Sequence, residues 1–268
     1  MPSKSPREIV AAVDLGGRDK VELDTGRLLV SGFLAGAYIA LGGTLAVVVG
    51  GGVPGLAAAN PGLQKLVFGA VFPVGLMFVV LAGAELFTGN TATCIPAALS
   101  GRVSWRGLGR NWVLSYLGNF GGSLFVAFFL VFAAGLFSHD PWLSSIMGIA
   151  EGKVSQGFIP LLLKGVGCNW LVCLAVWLAV SAEDVAGKIA GIWFPIMAFV
   201  AIGFEHSVAN MFFIPAGMLY GASVSWMQFL VGNLLPVTIG NIIGGAVFVG
   251  TVYWYLYGGG AADSRRRG

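Results

Sequence analysis

Six stretches of this 268-residue chain carry no Asp, Glu, Lys or Arg: residues 28–64, 66–84, 111–138, 165–182, 189–204 and 207–262. About 20 apolar residues in a helix cross the hydrocarbon core of a bilayer. Uncharged runs of this length do not suit the surface of a water-soluble globule. Only 10% of the side chains are charged, against about a quarter in soluble domains. A hydrophobic share of 57% excludes disorder. The net charge of +3, spread over short segments, offers no nucleic-acid footprint. What remains is an integral membrane protein, all-α, with the lipid bilayer as its solvent.

The runs predict six spans, at about 28–49, 66–100, 109–137, 158–181, 187–219 and 227–257. The run 28–64 holds one span plus a loop from Gly50 to Pro61. The run 207–262 is too long for one span, and Gly221–Ser225 reads as the turn dividing it. An even number of spans puts both termini on one side. With that side cytoplasmic, the inner segments hold Lys4, Arg7, Arg18, Lys20, Arg27, Arg102, Arg106, Arg110, Lys188, Arg265, Arg266 and Arg267. The outer loops hold Lys65 and Lys153, and Lys164 falls near the start of span four. This is the positive-inside asymmetry of a protein in the cell's inner (plasma) membrane. Residues 1–27 read as a cytoplasmic segment with a short amphipathic helix after Pro6, residues 28–257 as the transmembrane domain, and 258–268 as a cytoplasmic tail. No cleavable signal peptide is expected, because the first 27 residues are mixed in charge and lack an apolar core. Cys94, Cys168 and Cys173 read as small packing residues, and their spacing suggests neither disulfide nor metal. No cofactor is implied. The 42 glycines, roughly twice the usual share, fit close helix packing and broken helices.

Two segments match each other. Gly83–Asn90 and Gly203–Asn210 both read G-x-E-x-x-x-x-N, 120 residues apart. Asn111 and Asn119 are followed 122 residues later by Asn233 and Asn241, with Gly121-Gly122 and Gly244-Gly245 behind. Three spans per repeat make the second half enter from the opposite face. The expected architecture is therefore two inverted three-helix repeats, about 28–137 and 158–257, with spans two and five broken. Broken backbone is tolerated at membrane depth only where protein or a water-filled cavity satisfies it.

Glu85, Glu205 and His206 are ionisable groups inside spans, which marks a candidate functional site. The two glutamates occupy equivalent positions, which favours bracing of freed backbone groups; Asn90 and Asn210 read as loop pins. His206 faces Leu86 in the repeat, so symmetric scaffolding does not require it. Imidazole changes charge near neutral pH and can donate a hydrogen bond or a proton. Thr88, in the other break, offers a hydroxyl. Lys153 could draw anions to an entrance, although an ordinary loop lysine is as good a reading. Asn169 is a buried amide that lines a pore or links helices. Lys164 could snorkel or face a subunit contact.

Gly83–Asn90, Asn169–Trp177, Gly203–Pro215 and Leu235–Gly245 resemble the formate/nitrite transporter family, and the resemblance covers nearly the whole chain. It implies an aquaporin-like protomer in a homopentamer that passes small monovalent anions: formate, nitrite, hydrosulfide. By the same resemblance His206 is the central pore histidine, Thr88 the threonine of the broken span, Lys153 the outer-vestibule lysine, Asn169 a polar residue beside the chamber and Glu205 the acid before the histidine. Phe72 and Phe199 match an outer constriction; Leu76, Leu86, Phe87 and Val172 match an inner one. The expected function is a formate channel, with proton transfer at His206, and a nitrite or hydrosulfide channel of the same family as the alternative. A membrane-embedded acid–base enzyme using Glu205 and His206 is the remote alternative. A multi-histidine metal site is not expected, since the only other histidine is His139.

Overall fold

The computed structural model describes residues 3–258; the basic tail residues Arg265, Arg266 and Arg267 lie outside them. Residue type sets most helix boundaries. Helix α1 (Pro6–Glu22) begins where Glu8 Oε2 accepts both the hydroxyl and the backbone N–H of Ser5, each at 2.7 Å. This satisfies a donor that the first turn cannot. Asp24 caps α2 (Thr25–Gly51) by accepting the Arg27 N–H at 2.9 Å. A short helix α3 (Pro54–Ala59) follows, then Asn60 caps α4 (Pro61–Gly83). The chain breaks and resumes in α5 (Phe87–Thr93) and α6 (Ile95–Leu99). Ser104 caps α7 (Trp105–Phe132), and α8 (Trp142–Val154) follows. Then come α9 (Phe158–Ser181), α10 (Val185–Ile202) capped by Asp184, α11 (Ser207–Leu219) and α12 (Gln228–Tyr257).

Six of these helices, α2, α4, α7, α9, α10 and α12, are long and apolar enough to cross a membrane. Large apolar side chains such as Val113, Leu163 and Phe194 are exposed on them, as a lipid-facing surface requires. In contrast, α11 is buried all round from Ser207 to Gly217, the signature of a central core helix. Both breaks begin with a glycine in the left-handed region, Gly83 at φ 85° and Gly203 at φ 87°. A side chain there would be strained.

The two halves use glycine in the same way. A Cβ on Gly32 would lie 3.2 Å from the Gly118 Cα, and a Cβ on Gly165 would lie 3.2 Å from the Gly240 Cα. Helices α2 and α7, and likewise α9 and α12, therefore meet backbone to backbone. Tyr116 and Thr238, also 122 residues apart, hydrogen-bond each other at 3.0 Å. A residue that touches its own repeat counterpart lies on the axis relating the halves, so the pseudo-twofold passes between these two.

Two boundaries differ from the sequence reading. Lys65 sits on the first turns of α4, not in a loop, because Asn60-Pro61 starts the helix five residues earlier than its apolar run. Residues 138–157, read as a loop, contain α8, and Lys153 lies in its last turn. Within 1–27, residues Pro6–Glu22 form α1, which packs on the rest of the protein. Helix α1 buries Val10, Val13, Asp14, Gly17 and Val21, and Arg102 donates to Asp14 Oδ2 at 2.8 Å.

Candidate functional site

Each break exposes backbone that one buried asparagine collects. Asn119 Oδ1 accepts the Phe87 N–H at 2.8 Å, while its Nδ2 donates to Gly32 O at 2.8 Å and Glu85 O at 2.9 Å. Asn241 repeats this bond for bond. It accepts the Ser207 N–H at 2.8 Å and donates to Gly165 O at 2.8 Å and Glu205 O at 3.0 Å. Buried polar backbone is costly unless partnered, and here one amide side chain answers three groups.

The glutamates are held in a second symmetric set. Glu85 accepts from Lys20 Nζ and from Asn90 Nδ2, both at 2.7 Å. Asn90 reaches Asn111 Oδ1 at 3.0 Å, and Asn111 Nδ2 donates to Lys20 O at 2.9 Å. In the other half Glu205 accepts from Lys153 at 2.9 Å and Asn210 at 2.7 Å. Asn210 donates to Asn233 Oδ1 at 2.7 Å, and Asn233 donates to Lys153 O at 2.8 Å. Each ring closes lysine to glutamate to asparagine to asparagine and back to the lysine carbonyl. Lys20 is thus the counterpart of Lys153, and α1 the counterpart of α8. The sequence reading missed Lys20: the lysines are 133 residues apart, so a search at the 120–122 offset of the other matches passes over them. That shared offset also links Gly32 to Gly165.

Two cavities flank the breaks and share no lining residue. One, of about 400 Å³, lies on the α1 side and is lined by Lys20, Leu76, Glu85, Leu86 and Asn90 among others. The other, of about 190 Å³, lies on the opposite side and is lined by Phe72, Lys153, Phe199, Glu205, His206 and Asn210 among others. Glu85 N–H meets Ser31 O near the start of the first span, and Glu205 N–H meets Lys164 O near the start of the fourth. Three crossings separate those two starts, which places the cavities on opposite faces.

At His206 the symmetry fails. His206 Nε2 lies 2.9 Å from Thr88 Oγ1, and both residues are buried. His206 Nδ1 accepts the Ala209 N–H at 3.1 Å and so caps α11. An Nδ1 that accepts leaves the proton of the neutral ring on Nε2. The ring therefore donates to Thr88 Oγ1, and the threonine's own hydrogen stays available to another acceptor. The ring stacks on Phe199, with centroids 5.9 Å apart. The counterparts of His206 and Thr88 are Leu86 and Val208, so only one half carries this polar contact.

The remaining expected residues are placed as follows. Phe72 and Phe199 pack edge to face, with centroids 5.9 Å apart, at the wall of the smaller cavity. Leu76 and Leu86 line the larger one. Phe87 packs its ring on Tyr116, at 4.9 Å between centroids, and lines neither cavity. Val172 is buried and also lines neither. Asn169 Nδ2 donates to Thr88 O at 3.1 Å, Thr91 Oγ1 at 2.9 Å and Asn241 O at 2.6 Å, so it links the first break to span six. Lys164 bonds Gln156 at 2.6 Å. Among the described residues no cluster of His, Cys, Asp and Glu could hold a metal ion.

The chain is similar in sequence and fold to known proteins. The sequence pattern described as Formate/nitrite transporter matches residues 7–255. A probable formate transporter of Methanothermobacter thermautotrophicus is 52% identical over 268 aligned residues, covering 95% of this chain and 97% of its own. A solved FNT family ion channel superposes with a TM-score of 0.85 at 33% identity, covering 93% of this chain and 98% of its own. A pentameric formate channel solved with formate bound gives a TM-score of 0.76 at 34% identity, covering 87% and 97%. Such matches are to transport proteins rather than to enzymes. Six membrane helices in two inverted repeats, two broken spans braced alike and a family pattern running from the first helix to the last establish that this chain belongs to the formate/nitrite transporter family.

Proposed function

We propose that the protein is a channel for small monovalent weak-acid anions, formate first, working as a homopentamer with one pore per protomer. It sits in the plasma membrane with both termini cytoplasmic. The observation that carries this reading is the His206–Thr88 contact, a polar station: His206 lines the smaller cavity with Phe72 and Phe199, and Leu86 and Gly89, on either side of Thr88 in the chain, line the larger one with Leu76. The formate-bound relative supports formate as the lead substrate and the pentamer as the assembly.

In this reading the apolar constrictions reject hydrated ions, because a bare charge meets a prohibitive desolvation cost there. The permeant enters past Lys153 on one side and past Lys20 on the other. Both ammonium groups are paired with glutamates, so each vestibule offers a local dipole rather than a free positive charge. At the station the Thr88 hydroxyl donates to the anion while His206 Nε2–H supports the threonine oxygen. A neutral imidazole has no proton to give away. To protonate the anion His206 must first take a second proton at Nδ1, which breaks its bond from the Ala209 N–H. Proton transfer is therefore coupled to uncapping of α11. A weak-acid anion can use that route; chloride cannot.

The test is flux of formate, nitrite, hydrosulfide, acetate and chloride through purified protein in liposomes, across a pH range around the ordinary histidine pKa of about 6.5. Formate flux with chloride excluded is expected. Chloride flux equal to formate flux would overturn the selectivity argument. Nitrite or hydrosulfide exceeding formate would move the assignment within the family.

A further inference from the structure

Thr88 and Val208 hold the same place in the two breaks, 120 residues apart. In each half a side chain pins the carbonyl oxygen of that residue, but the side chain comes from a different helix. Ser123 Oγ on α7 lies 3.4 Å from Val208 O and 3.3 Å from Gly36 O. Asn169 Nδ2 on α9 bonds Thr88 O at 3.1 Å. The repeat offsets pair Asn169 with Gly36, at 133, and Ser123 with Gly245, at 122. One half therefore uses serine on the third span with glycine on the first. The other uses asparagine on the fourth span with glycine on the sixth. Size and polarity have been exchanged between two facing positions.

The glycine at 245 is required by what stands opposite. A Cβ there would overlap Thr91 Oγ1 and lie 2.7 Å from Asn169 Nδ2 and 3.1 Å from Cys173 Sγ. All three are side-chain atoms that can move, and their movement is the point. Asn169 displaced by a methyl group loses Thr88 O, and Thr91 Oγ1, which itself donates to Thr88 O at 2.7 Å, shifts with it. The brace in this half is the tighter one. Two amide hydrogens serve three acceptors at 2.6–3.1 Å, whereas Ser123 shares one hydroxyl hydrogen between two acceptors beyond 3.2 Å.

We propose that Gly245 is a positioning residue that admits the Asn169 amide, which fixes the Thr88 carbonyl and through it the Thr88 hydroxyl opposite His206. The Asn169–Gly245 pair is the exchanged form of the Ser123–Gly36 pair. This inference rests on the reading of Thr88 and His206 as the polar station, and it deepens that reading.

The experiment compares wild type, Gly245→Ala, Asn169→Gly and the double variant Asn169→Gly/Gly245→Ser, all full-length in liposomes, by formate and nitrite flux against concentration and pH. The double variant installs the first-half arrangement in the second half. Gly245→Ala is expected to lower maximal formate flux at least about tenfold, the worth of one hydrogen bond to a charged group, and to change the formate-to-nitrite ratio and pH profile. Asn169→Gly behaves likewise, and the double variant recovers most of the loss. Wild-type flux, ratio and pH profile in Gly245→Ala overturn the inference, as does a double variant no better than Gly245→Ala. If Gly245→Ala does not fold, a folded and conducting double variant supports the exchange, and an unfolded one overturns it. Absence of formate flux in wild type would sink the proposed function instead, so the two failures are distinct.

Discussion

Replacing His206 by leucine puts the residue of the first break into the second. Its structural cost is bounded by Leu86, which starts α5 with no side-chain cap. The loss is the bond from the Ala209 N–H, about 1 kcal/mol for a capping interaction, together with the Thr88 contact. A total of about 1–2 kcal/mol shifts the melting temperature by a few degrees in a chain of this size. Transport should suffer far more. Without the Nε2–H that orients the Thr88 hydroxyl, the anion at the station loses its hydrogen bond from Thr88 where no water replaces it. A hydrogen bond to a charged group contributes about 1.5–3 kcal/mol, and each 1.36 kcal/mol is tenfold in rate, so formate flux should fall by roughly 10- to 150-fold. Thr88→Val installs the residue of the other half in the same way and keeps the Ala209 cap but strands the buried His206 Nε2–H, so it should cost similar flux and about 1–3 kcal/mol of stability. Because the two side chains form one station, the double variant should be little worse than either single one. The assays are thermal unfolding of the purified protein and formate flux in liposomes. Folded His206→Leu protein with wild-type flux and pH profile would refute the reasoning.

Other outcomes follow from the braces. Asn241→Ala strands the Ser207 N–H and the Glu205 carbonyl and removes a bond to the Gly165 carbonyl. At about 1–3 kcal/mol per unsatisfied group the two stranded groups should cost about 2–6 kcal/mol, matched by Asn119→Ala in the other half; unfolding midpoints near wild type would contradict the bracing role. Lys153→Met leaves the Glu205 carboxylate buried and unpaired, which costs about 3 kcal/mol or more. Lys153→Met/Glu205→Gln should be the more stable of the two variants, and the reverse order in denaturation experiments would argue against the pair. At the start of α1, the Ser5 hydroxyl and N–H, with Lys4 nearby, hold the exposed Glu8 carboxyl below its ordinary range. Its contribution to holding α1 is present above the unfolded carboxylate range and is lost as pH falls through the lowered folded value. The protection of the amides of residues 5–9, corrected for the intrinsic pH dependence of exchange, should fall on that acid side and stay level from pH 6 to 8.

The charge-free runs determine the six spans because the bilayer punishes charge and unpaired backbone alike. The repeated G-x-E-x-x-x-x-N segments, which open on Gly83 and Gly203, located both breaks, since each half must solve the same backbone problem with the same residue types. His206 stood out as the position where the halves differ. The tertiary structure decided the rest. Only folding shows that Lys20 closes on Glu85 as Lys153 closes on Glu205, since those contacts span 65 and 52 residues and follow no helical period. Only folding assigns α1 and α8 to the repeat, because a loop of different length in each half shifts their offset to 133. And only folding joins Thr88 to His206 across 118 residues: each break supplies one partner, and the inverted packing that brings them together is a property of the whole chain rather than of either motif.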